Sequence, residues 1–199
     1  YVEQYASSAC EIVAEVLQYI GDDGIKIMPA EADAMYAGIV IDTNNFMNQA
    51  GVRTFEAAAF LRRNGADVVR VRKLFRDRLE DYRARAEAIQ KAEIYHGAFA
   101  ISVCPSEGLE SPTVVGAQAA NELLDIVGIK ASFILTQMGD TIYFSARSID
   151  EINVQIIMER LGGGGHRTIA GAQLKGATID EAREKLKDLI TDMMEKGEI

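Results

Sequence analysis

Cysteine is scarce: the 199 residues hold two, Cys10 and Cys104, far apart and without CxxC spacing. With only two histidines besides, there is no Cys/His cluster, which argues against a structural zinc site. This cysteine usage is that of a reduced, cytosolic protein. No apolar run approaches the ~18 residues of a membrane span, and no secretory leader pattern opens the chain. The first residue is Tyr rather than Met, so the chain reads as a fragment of something longer. There is no repeat and no low-complexity tract. Positive charge is also in deficit: 21 Lys and Arg against 30 Asp and Glu give a net charge of -9. That disfavours non-specific binding to long nucleic acid, which needs cations to release counterions. Within that deficit, residues 62–93 hold ten bases and six acids, a solvated charged helix or, alternatively, a basic groove wall.

What is present is ordinary globular material. Hydrophobic residues make up 48% and charged residues 26%, enough for a substantial core in one large domain or two small ones. Ser8 and Glu11 form a capping-box pattern ahead of Ile12, Val13, Val16, Leu17 and Ile20, with Gly21 as the stop. Pro29 opens a second helix that becomes apolar all round through Ile41 and is therefore expected to be buried. Thr54 is expected to cap a third helix and Asp67 a fourth. Phe75, Leu79, Tyr82, Ala86 and Ile89 then predict one long amphipathic helix with few contacts of its own, a connector between two globular parts. After it the texture changes. Ala98–Val103, Ala131–Thr136 and Thr141–Ser145 read as strands, the last two joined by a hairpin turn at Gly139-Asp140. Val114–Val127 reads as a helix, and the pairs Ser148/Glu151 and Thr178/Glu181 predict two further capped helices. The expectation is an α/β chain with a mixed sheet in its second lobe. Residues 1–76 form a helical part, 77–95 a linker helix and 96–199 an α+β domain.

Three places could carry chemistry. Gly162–Gly165 followed by His166 costs conformational entropy. Such a run can let a ligand come close and aim several N–H groups at an anion, with His166 as a further donor. Its alternative is a helix C-cap followed by a surface His. It is neither a P-loop nor a dinucleotide fingerprint. Ser145 and Arg147 share one strand face, where a guanidinium and a hydroxyl can grip phosphate beside the helix start expected after Ser148. The alternative there is a surface ion pair. Asp42, at the exit of the apolar helix, can ligate a hard cation or simply cap a turn.

Taken together, Tyr5–Ala9 with Glu11, Gly38–Thr43, Arg53–Phe55, Leu61–Ala66, Ser145–Ser148, Asn153–Glu159 and Gly162–His166 resemble the DHH/DHHA1 phosphoesterase superfamily. Within it the chain is most similar to the GdpP-type cyclic-di-AMP phosphodiesterases. The resemblance implies that these residues are the end of a DHH domain, a linker helix and a whole DHHA1 domain. It implies a two-manganese site in the parent protein, with Asp42 as the one ligand and catalytic residue that maps here, because no Asp-His-His motif is present. It assigns Ser145, Arg147, Gly163, Gly164, Gly165 and His166 to substrate. Asp150, Ile169 and Gly171 depart from the family pattern and touch substrate detail more than reaction class.

The function so implied is metal-dependent hydrolysis of cyclic di-AMP to the linear dinucleotide pApA, with the fragment itself inactive. The rival readings are a short-oligonucleotide or 3′-phosphoadenosine 5′-phosphate hydrolase of the same superfamily, and a non-catalytic nucleotide-binding module. The expected partner is a small nucleotide rather than long nucleic acid, and a homodimer is compatible with the resemblance. An N-terminal anchor absent from this chain would hold the parent at the cytoplasmic face of the membrane.

Overall fold

The computed structural model describes residues 3–20, 26–149 and 151–199. The chain divides into two units between Arg76 and Asp77. Gly21 and Asp150, to which the sequence assigned a helix stop and a family departure, lie outside the described residues.

The first unit is helical: α1 (Ala9–Ile20), α2 (Pro29–Asp42), α3 (Val52–Arg63) and α4 (Val68–Leu74). Ala14, Ala32, Ile39, Ala57, Leu61 and Ala66 form its buried apolar cluster. Much of its cohesion is polar. The buried Glu11 carboxylate accepts from the Ser7 N–H at 3.2 Å and the Thr54 hydroxyl at 2.7 Å, tying α1 to α3. Glu15 takes two bonds from Arg53 at 2.7 and 2.6 Å. Asp33 on α2 accepts from Arg70 Nε and from the Asp67 N–H, both at 2.6 Å, which fastens α4. Asp67 caps α4 as expected, its carboxylate accepting from the Arg70 N–H at 2.8 Å.

Two expectations for this unit need correction. Thr54 is not the cap of α3, because the helix starts two residues earlier at Val52. The Thr54 hydroxyl instead accepts from the Gly51 N–H at 3.1 Å and donates to Glu11. The end of α2 is not buried all round: Ile39 is fully buried, but Ile41 is 63% exposed and Asp42 is exposed.

The second unit is built on a six-stranded sheet with strand order β1-β2-β3-β4-β6-β5. The strands are β1 (Glu93–Tyr95), β2 (Phe99–Cys104), β3 (Ala131–Met138), β4 (Thr141–Ser148), β5 (Gly164–Gly165) and β6 (Ile169–Lys175). Only β2 and β3 pair in parallel, joined through α6 (Pro112–Leu123). The β3–β4 hairpin turns at Gly139 and Asp140 as its sequence demands, with Met138 opposite Thr141. Alternation splits the strands between two cores. Phe99, Ile101, Phe133, Leu135, Ile142 and Phe144 face α7 (Val154–Arg160) and α8 (Ile179–Glu195). Ala100, Cys104 and Ile134 face α6 and α5 (Leu79–Gln90). Thr178 and Glu181 close the expected capping box on α8.

The long connector helix is not found. Chain from Phe75 to Arg78 separates α4 from α5, which ends at Gln90, and β1 follows. Most of the stripe read as apolar points outward, Leu79 being 57% and Tyr82 58% exposed, and only Ile89 at its end packs on the core. The buried face is Ala84, Arg85 and Ala88, where small side chains let α5 approach α6 closely. Arg85 binds Asp77 and Glu122, both at 2.6 Å. So α5 is a layer of the second unit.

Candidate functional site

Strand β4 carries Ser145 and Arg147 on the sheet face opposite the Phe144 and Ala146 core, as alternation predicts. The register fixes their neighbours. Ser145 stands opposite Ile134 on one side and Gly171 on the other, and Gly171 pairs onward with Gly164. Arg147 stands opposite Ser132 and Ile169, and Ile169 exchanges backbone bonds with His166 at 2.7 and 3.2 Å. Gly165 pairs with Ala170, which stands opposite Ala146, so Ser145, Arg147, Gly164, Gly165 and His166 fall within three successive rows of the sheet. His166 lies two strand spacings from Arg147, about 10 Å.

Arg147 is the electrostatic centre of this face. Its Nε donates to Asn121 Oδ1 on α6 at 3.0 Å, and Nη1 donates to the Ala146 carbonyl at 2.9 Å. Both acceptors are neutral, and among the described residues no carboxylate pairs with it. Burial draws the guanidinium below its ordinary value, yet an arginine stays charged at neutral pH. A partly desolvated cation oriented by neutral acceptors is suited to an external anion. The Asn121 contact gives no motif signal in the sequence.

The glycine run works differently from the sequence reading. Gly162 ends α7 at φ +81, its N–H donating to Glu159 O at 3.0 Å, while the Gly163 N–H donates to Met158 O at 2.9 Å. The His166 N–H is taken by Ile169. These three donors are spent within the chain, so they form no anion-binding nest. The close approach is to the protein's own strand. A Cβ on Gly163 would lie 2.0 Å from Gly171 O, and one on Gly165, at φ +146, would lie 2.5 Å from Ala170 Cα. Gly164, by contrast, faces open space. The run lets β5 lie flat on β6 and leaves its Gly164 face free. His166 sits exposed in the β5–β6 turn.

Nor does a capped helix start at Ser148. Its hydroxyl donates to Ile152 O at 2.6 Å, Glu151 pairs with Lys130 at 2.5 Å, and α7 begins at Val154 under its cap Asn153, five residues beyond Ser148. The positive helix end is therefore displaced from Arg147.

Beside this face lies a pocket of about 490 Å³, lined by Tyr143, Gly162, Gly163, Gly171, Gln173 and Lys175 together with Phe144 and Ala172. Tyr143, Gln173 and Lys175 belong to no motif, and β6, with its Ala170-Gly171-Ala172 centre, carries a β-branched residue only at Ile169 and so gives little strand signal.

Asp42 belongs to the first unit, where it ends α2. Asn44, Asn45 and Phe46 follow at φ 46, 58 and 65, consecutive left-handed residues. Asn tolerates this region, whereas Phe does not. Phe46 is held there by stacking on Phe55 at 5.4 Å and by the Thr43 hydroxyl, which accepts its N–H at 2.9 Å. Among the described residues no group of three or more His, Cys, Asp or Glu comes together. One carboxylate is too few for a divalent ion, so these residues do not by themselves make a manganese centre. Among them, too, no helix is long and apolar enough to cross a membrane.

Comparison with known proteins agrees with this architecture. The family model of the DHHA1 domain matches residues 98–192. The chain is 44% identical over 198 residues to the cyclic-di-AMP phosphodiesterase GdpP of Geobacillus thermodenitrificans, covering 99% of this chain and 30% of that protein. It is 43% identical over 199 residues to the cyclic-di-AMP phosphodiesterase PdeA of Listeria monocytogenes, again covering 30% of the relative. The chain thus spans under a third of the length of these relatives. In fold it is similar to the crystal structure of an exopolyphosphatase-related protein from Bacteroides fragilis, with TM-score 0.81 at 20% identity over 97% of this chain and 61% of that one. The matched domain and the 43–44% identity across this chain place it in the DHH/DHHA1 phosphoesterase superfamily.

Proposed function

We propose that this chain is the substrate-holding portion of a phosphodiesterase that opens cyclic di-AMP to linear pApA. The observation that carries the reading is Arg147: a partly buried cation with neutral protein partners, on an open sheet face beside Gly171 and Gly164. The substrate follows from the relatives named as cyclic-di-AMP phosphodiesterases. In this reading Arg147 and Ser145 orient a phosphate and neutralise its charge, and His166 adds a donor from the turn. Gly163, Gly164 and Gly165 keep the wall of the site thin.

Metal belongs to the same proposal. Two manganese ions in the parent protein would supply Lewis-acid chemistry. Asp42 is the one ligand proposed from this chain, with the others lying outside it. The parent would be anchored in a membrane with this portion on the cytoplasmic side.

The test is hydrolysis of cyclic di-AMP by the parent protein in Mn²⁺. Asp42→Ala should abolish turnover while leaving much of the binding, and the 199-residue chain alone should be inactive. Full activity of the Asp42→Ala parent, or turnover by the isolated chain, would show that the catalytic centre is misplaced. Preferential cleavage of 3′-phosphoadenosine 5′-phosphate or of short oligoribonucleotides would move the substrate within the superfamily.

A further inference from the structure

We propose that Tyr143 and Gln173 form a nucleobase subsite that reads an adenine ring next to the phosphate held by Arg147. The inference rests on the phosphate reading above and adds the residues that recognise the base. The two side chains belong to directly paired residues of β4 and β6, and both line the 490 Å³ pocket bounded by Gly162 and Gly163. A half-buried tyrosine ring offers a flat surface on which a base stacks. The Gln173 amide carries one donor and one acceptor side by side, the complement of adenine N6 and N7. The Gln173 amide has no hydrogen-bond partner among the described residues, so it is available to a ligand.

Spacing joins this subsite to the phosphate. Tyr143, Ser145 and Arg147 alternate along the same face of β4, so Tyr143 and Arg147 stand four residues, about 13 Å, apart, with Ser145 midway. That run suits a nucleotide laid along the strand, its base at Tyr143 and its phosphate between Ser145 and Arg147. Gly171, opposite Ser145, puts no side chain beside that run. Lys175 at the pocket's far side is a cation for a second phosphate, as a dinucleotide would require.

The experiment is isothermal titration of the 199-residue chain with AMP and with ribose 5-phosphate, which keeps the phosphate and lacks the base. The wild-type chain should bind AMP about tenfold or more tightly than ribose 5-phosphate, the scale of one base stack. Gln173→Leu, at an exposed position where folding is not at stake, should cut AMP affinity several-fold and leave ribose 5-phosphate unchanged. Tyr143→Ala should act likewise, and Tyr143→Phe should restore AMP binding. Equal wild-type affinity for the two ligands, or unchanged AMP affinity in both Gln173→Leu and Tyr143→Ala, would overturn the base subsite while the phosphate site stands. Binding of neither ligand would overturn the phosphate reading and the subsite together.

Discussion

The residues up to Arg76 bury a small cluster of mostly alanine side chains and lean on polar ties between helices, whereas those from Asp77 onward bury large side chains on both faces of a six-stranded sheet. The polar ties are Glu11 with Thr54, Glu15 with Arg53, and Asp33 with Arg70. The first unit also leaves Val13, Val16, Met47, Val52, Phe55 and Leu74 substantially exposed. Hydrophobic burial is non-directional and scales with area, while charge-assisted bonds are directional and depend on protonation. The two units should therefore respond differently to cavities, to acid and to thiol reagents, and each response can break the contrast.

Cavity formation should have the largest effect. Phe133 is fully buried in the sheet core, so Phe133→Ala should cost about 3–5 kcal/mol, seen as accelerated hydrogen exchange throughout residues 77–199. Exchange in α1 and α3 should change little. Equal acceleration in both units would show that they unfold as one.

Acid comes next. The Arg70 guanidinium, with help from the Asp67 N–H, holds the Asp33 carboxyl below its ordinary 3.8, and Arg53 holds Glu15 below its ordinary 4.5. A carboxylate lowered in the folded state stabilises fully above its unfolded value and loses that contribution as pH falls through the folded one. Below about pH 4, then, the first unit should lose stability first, since among the described residues of the second unit only the exposed Glu181 cap is similarly lowered. Asp33→Asn should flatten the acid dependence of exchange in α2 and α4. Acid loss confined to the second unit would contradict the contrast.

The smallest effect is chemical. Each unit carries one free thiol. Burial pushes Cys104 up to about 11, and burial with the nearby Asp42 charge also raises the less buried Cys10. A thiolate-selective reagent at neutral pH should modify Cys10 slowly and Cys104 more slowly still. Faster reaction at Cys104 would mean that the sheet unit opens more readily than its packing implies.

The contrast also governs what could be read from the sequence. Local signals were legible where one residue answers to its own neighbours: Asp67 on α4, Thr178 with Glu181 on α8, and the Gly139-Asp140 turn. Signals failed where a distant partner decides. Thr54 resembles a cap but serves Glu11, 43 residues away. Tyr82 and Leu79 mimic a buried stripe, yet α5 turns Ala84, Arg85 and Ala88 inward, where Gln118 and Glu122 of α6 hold Arg85. At the candidate site, Ser145 and Arg147 were legible as a shared strand face. The use of Gly163 and Gly165 against β6, and the place of Asn121 beside Arg147, depend on pairing that no local pattern encodes.

The central claim is that Arg147 waits on the second unit for a phosphate. It is tested most directly by titrating linear pApA into the 199-residue chain and its Arg147→Ala variant, with Glu15→Ala, which alters only the first unit's ties, as the control. Loss of a charge-assisted bond of about 1.5–3 kcal/mol predicts that Arg147→Ala weakens binding at least tenfold and that Glu15→Ala leaves it unchanged. Unchanged affinity in Arg147→Ala would contradict the account.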